Sequence, residues 1–254
     1  MNDLGKMGIS PRKLWLLFVG LSLLLPFHSK AGAEVERQKW RAAGFKDPEV
    51  RLIDIGKFYR SDETFTHGFD LTLVLLRGSG WTKKTVVRRL QKLARIYAPY
   101  RIKIGVAKLV IAGSPNGMID FLRPGTGDID IARRTPRTFR PIIYYIRSVP
   151  PLNAYSWIEH SDNEAVPDAI KNTAWISLTA DMELNKKIRP PDYLTEAHEL
   201  GHILLDSLRH CQPGAANLMA ADYKQVSGRL EPHQVERIKR HQLVKRLPDL
   251  LEEK

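Results

Sequence analysis

The sequence predicts an α+β fold, and three observations carry that expectation. A β-rich run from Phe69 to Leu76 is followed at once by a helical pattern. Several further β-rich runs follow, separated by glycine and proline breaks. The remaining strong helical patterns lie in the C-terminal third, so strands and helices are only partly interleaved.

Taken in order, Phe69 to Leu76 ends at Arg77-Gly78-Ser79-Gly80, a turn signal. Val86, Val87, Leu90, Leu93, Ala94 and Tyr97 recur at helical spacing and predict an amphipathic helix that stops at Pro99, with Arg88, Arg89, Lys92 and Arg95 on its wet face. Ile102 to Ala112 alternates in character and ends at Gly113-Ser114-Pro115-Asn116-Gly117. Asp128 to Ala132, Ile142 to Val149, Ala154 to Ile158 and Ala174 to Leu178 are further candidate strands. Pro190-Pro191 then stops whatever precedes, and Asp192 is the candidate N-cap of a helix whose buried stripe is Ala197, Leu200, Gly201, Leu204 and Leu208. A last helix is expected from about Pro232 to Leu247, carrying Val235, Ile238 and Leu243. Residues 34–66 read as an N-terminal extension to a domain spanning 67–254, without internal repeats.

The chemistry-bearing motif is His198-Glu199-Leu200-Gly201-His202, an H-E-x-x-H site. Four residues apart on a helix, His198 and His202 lie one turn apart on the same side and can offer ring nitrogens to one metal ion. Glu199 is turned about 100° from His198, at the edge of the site, where a carboxylate can take a proton from water without being a ligand. Three fixed positions of this kind arise by chance in roughly one chain per hundred of this length, so the helical context around the motif matters as much as the motif. The competing reading is an amphipathic helix with two hydrogen-bonded histidines and no metal.

Beyond the motif come Asp206, His210 and Cys211, a Gln212-Pro213-Gly214 turn, and Asn217-Leu218-Met219-Ala220. In this stretch the chain resembles the metzincin clan of zinc peptidases, in which a longer metal motif ends in a third histidine and is followed by a tight turn with a methionine beneath the metal. The resemblance implies a mixed twisted sheet packed on two helices, one carrying the zinc motif, with a closing C-terminal helix. It implies one Zn2+ ion held by His198, His202 and His210, Glu199 as general base, Met219 as the Met-turn residue, and hydrolysis of a protein or peptide substrate. It also implies an edge strand that runs opposite to its neighbours and pairs with extended substrate, for which Ala154 to Ile158 is the candidate. His210-Cys211 is similar to the archaemetzincin pair, although the other cysteines of that family are missing. The clan pattern has a glycine and its third histidine where this chain has Leu205 and Leu208. Without that glycine, the helix is expected to run about half a turn further before His210 turns inward.

Other ligand sets remain open at this point. Asp206 is a rival third ligand, disfavoured because eight residues of unbroken helix carry it about 12 Å from His198. Acting as acceptor for a histidine N–H, or as a solvated helix residue, is the more conservative role. A downstream glutamate, Glu231 or Glu236, would make the site gluzincin-like, though both read as helix acids beside Pro232. Cys211 as a fourth ligand would close the site and describe a non-catalytic secreted zinc-binding protein; a small residue at a helix end is the plainer account of it. Tyr223 is a candidate hydrogen-bond donor to an oxyanion, against an ordinary loop tyrosine. Asp128 and Asp130 beside Gly125 and Gly127 offer too few oxygens for calcium and fit a turn better.

At the N-terminus, Arg12 and Lys13 precede an apolar run from Leu14 to Phe27, and Ala31-Gly32-Ala33 gives a small-residue cleavage site. That is the pattern of a secretory signal peptide over residues 1–33, which predicts an exported protein, secreted or periplasmic, with no transmembrane anchor after cleavage. A single cysteine excludes an internal disulfide. The formal net charge is +12, and removing Lys6, Arg12, Lys13 and Lys30 together with Asp3 leaves it at +9. Such a balance favours anionic surfaces, but no nucleic-acid motif accompanies it and a solvated basic surface is the simpler expectation.

Overall fold

In a computed structural model, the described residues are 30–150, 152, 154–160, 167–178, 194–211, 216–221 and 227–248. Most of the expected signal peptide, Asp192 and Tyr223 therefore lie outside the described residues. The elements are α1 (Lys30–Ala42), β1 (Lys46–Ile53), β2 (His67–Leu76), α2 (Lys83–Tyr97), β3 (Ile102–Gly113), α3 (Asp128–Arg134), β4 (Ile142–Ile146), β5 (Ala154–Trp157), β6 (Thr173–Ser177), α4 (Thr195–Leu205), α5 (Pro232–Arg240) and β7 (Lys245–Arg246). The fold is α+β, with a mixed seven-stranded sheet in the order β1-β3-β2-β4-β6-β5 and β7 beside β2. Strands β3, β2, β4 and β6 are parallel, while β1 and β5 run antiparallel at the two edges. Among the described residues, no helix is long and apolar enough to cross a membrane.

The central strands read as unbroken apolar runs because both faces of a parallel sheet are covered. Along β2, Phe69, Leu71, Leu73 and Leu75 enter one core, and Val74 and Leu76 the other. Strand periodicity sends alternate side chains to opposite faces, so each face collects its own layer. The first layer packs Leu90, Leu93 and Tyr97 of α2 and Ala197, Leu200 and Leu204 of α4 against the sheet. The second is closed by Trp40 of α1 and by Ile131 and Ala132 of α3, around a stack of Tyr144 on Trp175 with centroids 4.0 Å apart. The two expected helices thus cover one face, and two further helices cover the other. Residues 34–66 supply most of α1 and all of β1, and β1 is hydrogen-bonded to β3.

Four expectations need correction. Residues 128–132 are helical: acids Asp128 and Asp130 stand in the first turn and Arg133 and Arg134 in the last, which suits the helix dipole, and the Asp128 carboxylate accepts from the Gly125 N–H at 2.8 Å. The closing helix stops at Arg240, because Lys245 and Arg246 leave to pair with Gly68 and His67. Arg89 is not on a wet face. Its side chain is only 12% exposed and makes a two-pronged ion pair with the buried Glu196 of α4, with Nη2 to Oε2 at 2.7 Å.

The fourth concerns the end of α4. The helix does not run on past Leu205; it stops there, with Asp206 left-handed at φ 47°. Aspartate tolerates that conformation better than most residues, so it fills the role expected of a glycine. Leu208 consequently leaves the buried stripe and is 55% exposed.

Candidate functional site

Helix α4 is buried along its whole length, between the sheet, α2 and α5. It begins after an extended Leu194, and Glu196 in its first turn is held by Arg89 of α2. His198 and His202 project from the same side. His198 Nδ1 donates to the Leu218 carbonyl at 2.6 Å, and His202 Nδ1 to the Ser207 carbonyl at 2.7 Å. A carbonyl can only accept, so both rings carry their proton on Nδ1 and present a bare Nε2.

Those nitrogens face one another. His198 Nε2 lies 3.1 Å from His202 Nε2 and 3.3 Å from His210 Nε2. His210 arrives from the loop after α4, its ring stacked on His198 at 22°, and is fixed in sequence by Cys211, whose N–H donates to the Met219 carbonyl at 2.8 Å. Burial lowers the pKa of His198 to about 3 and of His202 to about 4, and that of His210 in the same direction. Three neutral rings with lone pairs converging at this distance repel one another unless a cation lies among them. Nitrogens bound at 2.0–2.1 Å to a tetrahedral zinc sit about 3.3 Å apart, so the donor set fits that ion in kind and in spacing.

The structure thus brings together the three histidines that the resemblance named, and no fourth histidine, cysteine or acid joins them among the described residues. Asp206 instead accepts from His160, at the backbone N–H (2.9 Å) and at Nδ1. It is therefore a histidine acceptor, but for a histidine outside the cluster. Cys211 Sγ accepts from Gln234 Nε2 at 3.2 Å. Glu231 precedes α5 and pairs with His233, while Glu236 pairs with Lys239. Asp128 is committed to Tyr155 Oη at 2.9 Å and Trp157 Nε1 at 3.2 Å, as well as to backbone donors.

Beneath the cluster, Met219 occupies a tight turn. The Asn217 side chain accepts from the Met219 N–H at 2.7 Å, and the Ala220 N–H returns to the Asn217 carbonyl. A Cβ added at Gly201 would lie 2.3 Å from Met219 Sδ, so the absent side chain leaves the room that the methionine fills against the helix. Sequence reasoning missed the residue that ties these parts together. Gln234 of α5 accepts from Asn217 Nδ2 at 2.9 Å and from the Glu231 N–H at 2.8 Å while donating to Cys211. A polar residue on the buried face of an amphipathic helix was the available signal.

Glu199 lies beside the cluster on the wall of a cleft of about 340 Å³, which the histidines share with Ala154, Ser156, Trp157 and Ile158 along β5. Burial pushes its carboxyl up to about 7; the Ser156 hydroxyl pulls it down and Glu196 raises it further. A carboxyl poised near neutrality can both take and return a proton at working pH. The strand expected at Ala154 to Ile158 is the antiparallel edge strand that borders this cleft.

No protein-family profile matches the chain, and no curated relative matches it. Among solved structures, metalloproteinase-II from Bacteroides fragilis is similar at a TM-score of 0.45 and 16% identity, over 79% of this chain and 60% of that one. The chain thus spans under two thirds of that protein's length, and the likeness at this level says nothing of activity.

Proposed function

We propose that this chain is an exported zinc peptidase of the metzincin kind, which hydrolyses peptide bonds within a protein or peptide substrate. The carrying observation is the convergence of three Nε2 atoms beside one buried carboxyl, in a cleft lined by the strand that ends the sheet among the described residues. His198, His202 and His210 would hold the ion, which when bound supplies Lewis-acid polarisation of the scissile carbonyl and acidifies water at the site.

The chain's own groups do the rest. Leu218 and Ser207 carbonyls fix the ring tautomers, so the lone pairs stay aimed at one point. The β5 backbone lines the substrate up as an added strand. Glu199 Oε takes the proton of the attacking water and hands it to the leaving amine, a transfer that its raised pKa favours in both directions. The N-terminal signal pattern supports export.

Metal analysis coupled to a peptide-library digest tests this reading. About one zinc per chain and chelator-sensitive cleavage are expected, with His210→Ala losing most of the bound zinc and Cys211→Ser keeping it. Stoichiometric zinc with no cleavage of any library member would favour a binding protein instead.

A further inference from the structure

At the end where β5 runs out, the cleft opens into a hollow of about 310 Å³. The two share Ile158 and Leu208, and the hollow adds His160, Asp206, Arg209 and Arg237 to its walls. Arg209 and Arg237 also border a second hollow, of about 350 Å³, which reaches His210 from the other side. Two guanidinium groups therefore stand next to the metal-site loop, one on that loop and one on α5.

Neither arginine has an ion-pair partner among the described residues; Asp206 and Glu231, which share these hollows with them, are bonded instead to His160 and His233. Arg237 Nη2 donates to the Asp206 carbonyl at 3.1 Å, which anchors the side chain at the mouth of the hollow without neutralising it. A guanidinium offers a planar fork of donors that matches a carboxylate, and one already held by a backbone acceptor loses less freedom on binding.

We propose that Arg209 and Arg237 form a carboxylate-binding subsite of the cleft, selecting substrates with an anionic group on the side of the scissile bond that lies toward the C-terminal end of β5. This rests on the peptidase reading above. An extended chain paired along β5 passes the histidines and meets the two arginines next. The same carboxylate chemistry can come from an acidic side chain or from the end of the substrate chain.

The test uses peptides of one neutral sequence in three forms: amidated, amidated with one Gln changed to Glu at successive positions, and with a free C-terminal carboxylate. Cleavage is measured with the zinc-loaded protein, and binding by fluorescence anisotropy with zinc-loaded Glu199→Gln. A carboxylate on one side of the scissile bond is expected to improve binding and kcat/KM by tenfold or more over the neutral peptide, chiefly through KM. The advantage should shrink as salt is raised. Arg237→Gln should abolish it and Arg237→Lys should keep only part of it, read in each protein as the ratio of charged to neutral peptide. A gain confined to internal Glu would mark an endopeptidase with acidic preference; a gain confined to the free terminus would mark trimming from the chain end. Equal handling of charged and neutral peptides, or an advantage that survives Arg237→Gln, would overturn the subsite. If no peptide is cleaved, the peptidase reading fails, and the anisotropy series still decides the subsite.

Discussion

The two edges of the sheet are built in opposite ways. At β1 the chain presents Lys46, Asp47, Pro48, Glu49 and Arg51, with Asp47 at φ 45° and a register break between Lys46 and Glu49. Arg77 and Arg51 both bond to Glu49, at 2.7 and 3.3 Å. Charge, proline and a bulge all discourage a further strand from adding there. At β5 the edge is Ala-Tyr-Ser-Trp, uncharged and half-buried throughout. Its far face is held by the buried Asp128, which accepts from both Tyr155 and Trp157, so this short strand keeps its place through side-chain bonds. Among the described residues, one edge is closed to pairing and the other is left open beside the histidines, which is the contrast the proposed function requires.

The largest effect that would break this contrast lies at Glu199. Glu199→Gln should lower the turnover rate at least about 100-fold, equivalent to about 2.7 kcal/mol of barrier, while zinc content stays at the wild-type level. Glu49→Gln, on the opposite edge, should leave the rate within twofold. Equal rates for the two variants would remove the functional distinction between the edges.

Acidification sharpens the contrast in a second way. In the metal-free protein, His198 and His202 have folded pKa values of about 3 and 4, below the unfolded value of 6.5, so between pH 4.5 and 6.5 the unfolded chain binds two protons that the folded chain does not. Glu199, at about 7 when folded against 4.5 unfolded, binds one proton only in the folded state over the same window. Over these three groups the balance is about one proton in favour of the unfolded chain, and His210, His67 and His241, whose pKa values are also lowered on folding, add to it, so stability should fall by at least about 1.4 kcal/mol per unit as the pH drops. Glu199→Gln removes the opposing proton and should steepen that slope by about a further 1.4 kcal/mol per unit. At the β1 edge, Arg77 beside Glu49 lowers its pKa below the ordinary carboxylate value, so its effect falls below this window. Denaturant titrations at pH 5.0 and 6.5 on the metal-free protein give the slopes; one that rises toward acid would contradict the assignment.

The smallest effect is expected from the ion pairs at β1. Glu49→Ala with Arg51→Ala should change stability by a few tenths of a kcal/mol, since exposed pairs gain little over solvated charges. The informative readout is solution state. With charge removed from that edge, self-association at high concentration should increase, measured by sedimentation.

Much of this was legible in the sequence. Strands β2 and β3 stand within two residues of their expected limits and helix α2 ends two residues before Pro99, because buried parallel strands and an amphipathic helix each impose one dominant period. Asp128-Ile129-Asp130-Ile131 misleads for the same reason: alternation of acid and isoleucine imitates a strand, whereas the backbone is turned into a helix by the Asp128 carboxylate bonding the N–H groups before it. Of the site, the two motif histidines and Glu199 follow from helix spacing alone. The partners that orient them do not: the Leu218 carbonyl is 20 residues from His198, and Arg89 is 107 residues from Glu196. Such pairings depend on how layers stack, which local patterns do not encode.

The left-handed turn at Asp206 joins the floor of the cleft to one of its walls. Its backbone ends α4, and its carboxylate grips His160 just past β5, so beyond the packing of helix on strand the two are tied at this end of the cleft by a side chain. A glycine at the position would keep the turn and release His160, so the hold on this end of the wall would be lost without disturbing the helix end.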